Sequence, residues 1–187
     1  YNPEHQFLAS RGYAVLSMNF RGSTGYGRSH VKMANGEWGR KMQDDVTDSV
    51  NWAVEQGIAD PDNVCIYGAS YGGYAVMAGI TKTPKMYKCA VNYVGVTDMG
   101  LLFSKMPKVW EIWEEQQKIE IGDYENDKEY LDAVSPINLV DRIETPLYIV
   151  HGVRDWRVPI QHAQKLRREL EKNGKVEGED FWWMVKT

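Results

Sequence analysis

The sequence predicts an α/β protein, with a mostly parallel sheet flanked by helices. Three observations carry this. Short apolar runs of strand length alternate along the chain with segments of helical period. The connections between successive runs are long enough to be the crossovers that parallel pairing requires. One run also passes directly into a glycine-flanked turn and then a helix, the kind of unit that places functional loops at the C-terminal ends of strands.

The elements follow in order. Residues 5–10 read as the end of a short helix stopped by Gly12. Residues 13–18 are mostly apolar and read as an internal strand. The glycine-rich loop 20–28 follows at its C-terminal end. Between residues 38 and 56, Met42, Val46, Val50, Ala53 and Val54 fall at helical spacing. Asp44 and Asp45 are left on another face, as solvated residues or as partners of Arg21 or Arg40. Residues 60–63 make a turn. Residues 64–67, 89–94, 147–150 and 181–185 read as strands, and 160–172 as an amphipathic helix ended by Asn173-Gly174. The alternation predicts helices on both faces of the sheet. Residues 98–130 are charged and aromatic and keep no sheet rhythm, so they read as a helical flap over the site or a surface excursion.

Composition narrows the classes. The formal net charge is -4 and the basic residues are scattered, which argues against nucleic acid or an anionic membrane as partner. No apolar run is long enough to span a bilayer, and the first residues lack the pattern of a signal peptide. Cys65 and Cys89 lie in apolar runs and read as buried thiols rather than a disulfide or metal pair. Cytoplasmic residence follows from that reading. The histidines and cysteines do not fall at ligand spacings, so neither a metal nor another cofactor is expected.

The chemistry centres on Gly68-Ala69-Ser70-Tyr71-Gly72-Gly73. A serine nucleophile needs a sharp strand-to-helix turn that holds Oγ clear of the backbone, and the positions two before and two after it are expected to be small. Gly68 and Gly72 occupy them, with an apolar strand before and a helix after, as in an α/β-hydrolase fold. Gly73 extends the glycine run. The Tyr71 N–H, at the start of that helix, is the expected oxyanion donor. In this fold the acid of a triad follows a later strand. Asp155, in the loop after residues 147–150, suits that place. The four histidines are His5, His30, His151 and His162, and none follows the last strand. His151 reads as packing of the acid loop, and His162 as solvated or locally bonded. Ser70 is therefore left without an ordinary general base. The expectation is that the chain is a piece ending before that histidine, with a noncatalytic relative as the alternative.

Several stretches together resemble one family. They are Leu8-Ala9-Ser10-Arg11-Gly12-Tyr13-Ala14-Val15, Asn19-Phe20-Arg21-Gly22-Ser23-Thr24-Gly25-Tyr26-Gly27, the serine turn through Tyr74, Ser135-Pro136, and the run from His151 to Pro159. In this order they resemble the catalytic domain of the prolyl oligopeptidase family of serine peptidases, above all its dipeptidyl-peptidase and acylaminoacyl-peptidase branches. The resemblance implies that Ser70 is the nucleophile, Asp155 the acid and Tyr71 an oxyanion donor. It implies a catalytic histidine some thirty-odd residues after the acid, beyond Thr187.

The same resemblance implies that residues 1–187 form a partial hydrolase domain, with its sheet incomplete at both ends and the family's N-terminal β-propeller absent. The implied partner is a short peptide, and dimers among relatives make a homo-oligomer a further expectation. A carboxylesterase on the same fold and a noncatalytic binding or assembly domain remain as alternatives.

Overall fold

The protein is described here by a computed structural model covering residues 1–187. Helix α1 (Pro3–Ala9) starts where the Asn2 side chain accepts the backbone N–H groups of Glu4 and His5, with Pro3 in the first helical position. Helices α2 (Arg28–Lys32) and α3 (Lys41–Glu55) follow. A 3-10 turn at Pro61–Asn63, capped by Asp60, leads into β1 (Cys65–Ala69). Helix α4 (Tyr71–Lys82) and strand β2 (Cys89–Tyr93) complete the first crossover.

The aromatic segment then folds as α5 (Met99–Ser104), a 3-10 stretch (Lys108–Trp113), α6 (Glu114–Glu120) and α7 (Lys128–Ala133). A second 3-10 stretch (Pro136–Arg142) precedes β3 (Leu147–Gly152), α8 (Gln161–Lys172) and β4 (Phe181–Lys186). The four strands lie in the order β1-β2-β3-β4, and every pair is parallel. All strand C-termini therefore share one edge of the sheet.

The core lies mainly on one face. Along β3, Leu147, Ile149 and His151 are buried while the alternating residues are half-buried. Leu147 and Ile149, with Ala90 and Phe181, pack against Val76, Met77 and Ile80 of α4 and Leu166 and Leu170 of α8. Each fully buried Leu or Ile of this kind contributes roughly 2 kcal/mol. The other face is less covered. Helix α1 reaches it, where the Tyr67 hydroxyl donates to Glu4 Oε1 at 3.2 Å. Yet Tyr93, Trp182 and Met184 remain 39%, 40% and 40% exposed. Helices thus flank both faces of the sheet, but unequally. No helix is long and apolar enough to cross a membrane.

Two expectations are corrected. Residues 13–18 do not form a strand: residues 14–18 enter no backbone hydrogen bond, and Tyr13 and Leu16 are exposed. Apolar composition identified a segment suited to a sheet, but a strand exists only when a partner pairs with it, and the outer edge of β1 is not engaged by this segment. The cysteines are not free thiols. Cys65 and Cys89 face each other in the β1–β2 register, with Cα atoms 4.7 Å apart, and are joined as a disulfide. The sequence placed them in separate strands without giving the register that brings them together. Disulfides persist in oxidising compartments, so the step from free thiols to a cytoplasmic home falls away.

This bridge closes the unit that contains Ser70 and α4, at a sequence separation of 24. Loop-closure entropy predicts that the Cys65→Ala/Cys89→Ala double variant loses about 3 kcal/mol of unfolding free energy. Urea denaturation of the oxidised protein and the variant measures this.

Candidate active site

Ser70 leaves β1 in a backbone conformation that few non-glycine residues adopt, with φ 57 and ψ -117. Such a conformation costs on the order of 1–3 kcal/mol and persists only where the surroundings hold it. Here the Ser70 N–H donates to Tyr93 O at 3.0 Å and its carbonyl accepts Tyr74 N–H at 3.1 Å, pinning the residue between β2 and the first turn of α4. The side chain makes no capping bond to the helix and is exposed. The N–H groups of Tyr71, Gly72 and Gly73 find no acceptor within the chain. Ser70 thus precedes unpaired donors at the positive end of a helix.

The glycines of the turn are not equivalent. A Cβ on Gly68 would lie 2.4 Å from Gly72 O, so a side chain there collides across the turn. A Cβ on Gly72 meets nothing within 4 Å, so the expected need for a small residue holds at Gly68 and not at Gly72. Gly73 is constrained from elsewhere: its Cβ would sit 2.5 Å from Gly95 Cα and 2.7 Å from Asn92 Oδ1. Buried Asn92 in turn accepts the Gly95 N–H at 2.9 Å. Val94, between them, has φ 47, a strained value for a β-branched residue.

The glycine-rich loop after residue 19 is tied beside this turn. Arg21 donates to both carboxylate oxygens of Asp45, at 2.8 and 2.6 Å, and its backbone N–H adds a third bond at 2.9 Å. The Arg21 side-chain bond holds the Asp45 carboxyl below the usual carboxylate range, against the opposing effect of burial. Neighbouring Phe20 then packs on the Tyr71 ring at 5.4 Å, and Trp38 meets that ring edge-on at 4.5 Å. Burial pushes the Tyr71 phenol well up, so it stays neutral. Tyr130 reaches the same cluster by donating to Gly36 O and Trp38 O at 3.1 and 3.0 Å.

Asp155 lies in the loop after β3. Its Oδ1 accepts the N–H groups of Arg157 and Val158, both at 2.9 Å, while Oδ2 accepts none within the chain. Asp155 lines an open recess of ≈ 330 Å³ with Tyr93, Val94, Gly152, Arg154, Lys186 and Thr187. Ser70 follows β1 and Asp155 follows β3, with β2 between them. At the usual strand spacing the two residues stand roughly 10 Å apart on the same edge, a gap for an intervening group rather than direct contact.

None of the four histidines bonds to Ser70 or Asp155. His5 lies in α1, and the His30 ring bonds Phe20 O at 3.3 Å. His151 is buried with Nε2 2.8 Å from Val158 O, and burial pushes its pKa down. His162 is fully buried rather than solvated, and its Nδ1 accepts Thr97 N–H at 3.2 Å. Sequence reasoning missed this contact because its partners are 65 residues apart.

A parallel sheet with a serine on a strand-to-helix turn, and a carboxylate two strands away on the same edge, defines an α/β-hydrolase. Within that class the chain belongs to the prolyl oligopeptidase family, which residues 1–179 match. It is 43% identical over 173 residues to dipeptidyl aminopeptidase BIII of Pseudoxanthomonas mexicana, covering 91% of this chain and 25% of that protein. It is 37% identical over 175 residues to dipeptidyl peptidase family member 6 of Caenorhabditis elegans, covering 92% and 24%. A puromycin-hydrolysing peptidase of Mycobacterium tuberculosis superposes with a TM-score of 0.89 at 26% identity, over 98% of this chain and 27% of that one. The chain thus spans about a quarter of the length of the relatives it matches.

The unequal glycines give a direct test. Gly68→Ala should cost about 1–3 kcal/mol through overpacking, whereas Gly72→Ala should stay within about 0.5 kcal/mol of the parent. Urea unfolding curves of both variants check the order; equal losses would contradict the geometry of the turn.

Proposed function

We propose that this chain carries the nucleophile and the acid of a serine peptidase that cleaves short peptides through an acyl-enzyme on Ser70. The observation that carries the reading is the Ser70 turn: a strained, exposed serine beside unpaired helix N–H groups. Strain at a residue whose hydroxyl has no structural bond is the mark of a functional position. The relatives support the substrate class, since two are dipeptidyl peptidases by name.

In this mechanism Ser70 Oγ attacks the scissile carbonyl as an imidazole takes its proton. The Tyr71 N–H stabilises the oxyanion, and the imidazole then protonates the leaving amine. Asp155 Oδ2, free of other bonds, accepts the imidazole N–H and supports the positive charge that forms. No histidine of residues 1–187 bonds to either group. The imidazole is therefore assigned to a segment outside them, and its place to the recess between Asp155, Tyr93 and Thr187. On this reading residues 1–187 alone turn over no substrate.

A fluorophosphonate should label the intact protein at Ser70, and Ser70→Ala should abolish the adduct. Asp155→Asn should slow peptide turnover roughly ten-thousand-fold, because the base loses its orienting partner. Adduct mapping by mass spectrometry decides the nucleophile, and a label elsewhere would sink the assignment. Peptide anilides should be turned over in preference to simple aryl esters; the reverse preference would make the protein an esterase. No turnover and no adduct would leave a binding or assembly domain.

A further inference from the structure

One buried histidine sits where the serine turn and the acid loop are joined, and the proposed reaction does not use it. His162 lies in the first turn of α8 and is fully buried. Its Nδ1 accepts Thr97 N–H at 3.2 Å, and its carbonyl accepts Thr97 Oγ1 at 3.1 Å. Since Nδ1 is the acceptor, the neutral ring carries its proton on Nε2, and Nε2 is buried without a partner. One step further along, Lys165 pairs with Asp98.

These contacts connect the two halves of the site. On one side, Thr97 continues the loop whose Gly95 backbone packs on Gly73, three residues after Ser70. On the other, Asp155 Oδ1 accepts the Val158 N–H, Val158 O meets His151 Nε2, and the His162 N–H donates to Pro159 O at 3.0 Å. Val158 also packs in the same apolar cluster as Tyr74 and Val96. A string of short contacts therefore runs from the serine helix through Thr97 and His162 to the acid loop.

We infer that His162 is a positioning residue whose neutral ring, clamped on Thr97, sets the Asp155 loop against the Ser70 turn, and whose protonation releases that alignment. The inference rests on the reading of Ser70 and Asp155 as nucleophile and acid. The charged and titratable groups facing the ring are Asp98, His151 and Lys165. Burial outweighs the pull of the Asp98 carboxylate and, with repulsion from His151 and Lys165, brings the ring from 6.5 down to about 4. A protonated ring would turn a second N–H donor toward the Thr97 N–H. Because the folded state binds this proton less readily than the unfolded chain, the stability His162 contributes is complete above pH 6.5. It is lost progressively as the pH falls toward about 4.

The test compares His162→Ala with His162→Asn in the intact protein. Asparagine places Oδ1 where Nδ1 accepts but does not titrate. At neutral pH the rate of Ser70 labelling by a fluorophosphonate should fall roughly ten- to a hundred-fold in folded His162→Ala, and His162→Asn should restore it. The thermal midpoint should fall less steeply between pH 6.5 and pH 4 in His162→Asn than in the parent. His151, which burial also lowers, and the lowered carboxyls of Asp45 and Asp98 supply the remainder of that slope in both proteins.

A folded His162→Ala that labels at the parent rate overturns the inference, as does an asparagine variant that stays slow or keeps the full pH slope. Should His162→Ala fail to fold, the asparagine rate and slope decide by the same criteria. A parent protein labelled away from Ser70 overturns the peptidase reading and this inference together. A parent labelled at Ser70 with unaffected variants overturns this inference alone.

Discussion

The structure depends on one close approach: the backbone of helix α4 lies against the backbone of the strand and loop beside it, with no side chain between them. Gly68 meets Gly72 across the turn, and Gly73 meets Gly95. A helix normally stands off a sheet by the thickness of its side chains. Removing them at these positions lets the chain reverse sharply enough to hold Ser70 out of the sheet plane. The cost is strain at Ser70 and Val94. It is offset by what the approach permits further along α4, where Tyr74, Val76, Met77 and Ile80 are nearly or fully buried.

Around that contact the molecule arranges supports of different physical kinds. The Cys65–Cys89 bridge fixes β1 to β2 at the strand ends away from the site. The Arg21–Asp45 pair anchors the glycine-rich loop with charge-assisted bonds, and Phe20 and Trp38 enclose the Tyr71 ring. The aromatic segment between β2 and β3 packs on α4 through Met99, Leu102, Ile121 and Leu131. In the loop after β3, two backbone N–H groups hold Asp155 Oδ1 and leave Oδ2 without a bond inside the chain. The sheet therefore supplies spacing, and its loops supply orientation.

Much of this was legible from residues 64–93. A β-strand followed by Gly-x-Ser-x-Gly and a helix is a local pattern, because the turn is decided by which backbone angles and side-chain volumes neighbouring residues allow. The strands around Cys65, Cys89, Leu147 and Phe181 could be read for the same reason, since a short buried strand is an apolar run between breakers. Asp45 could be named as a partner of Arg21 but not distinguished from a solvated aspartate, because the pairing spans 24 residues. Residues 13–18 carry a strand-like composition and still do not pair.

The sequence by itself determined the class of the fold, the turn that presents Ser70 and the loop that holds Asp155. These follow from short-range sterics and from the period of apolar residues. Only the tertiary structure decided that Gly73 rather than Gly72 is held by contact, that the two cysteines face each other, and that His162 bonds Thr97. The reason is register. Parallel strands meet only through long crossovers, so which residues face each other is set by how the whole sheet and its helices pack, and no local pattern records it.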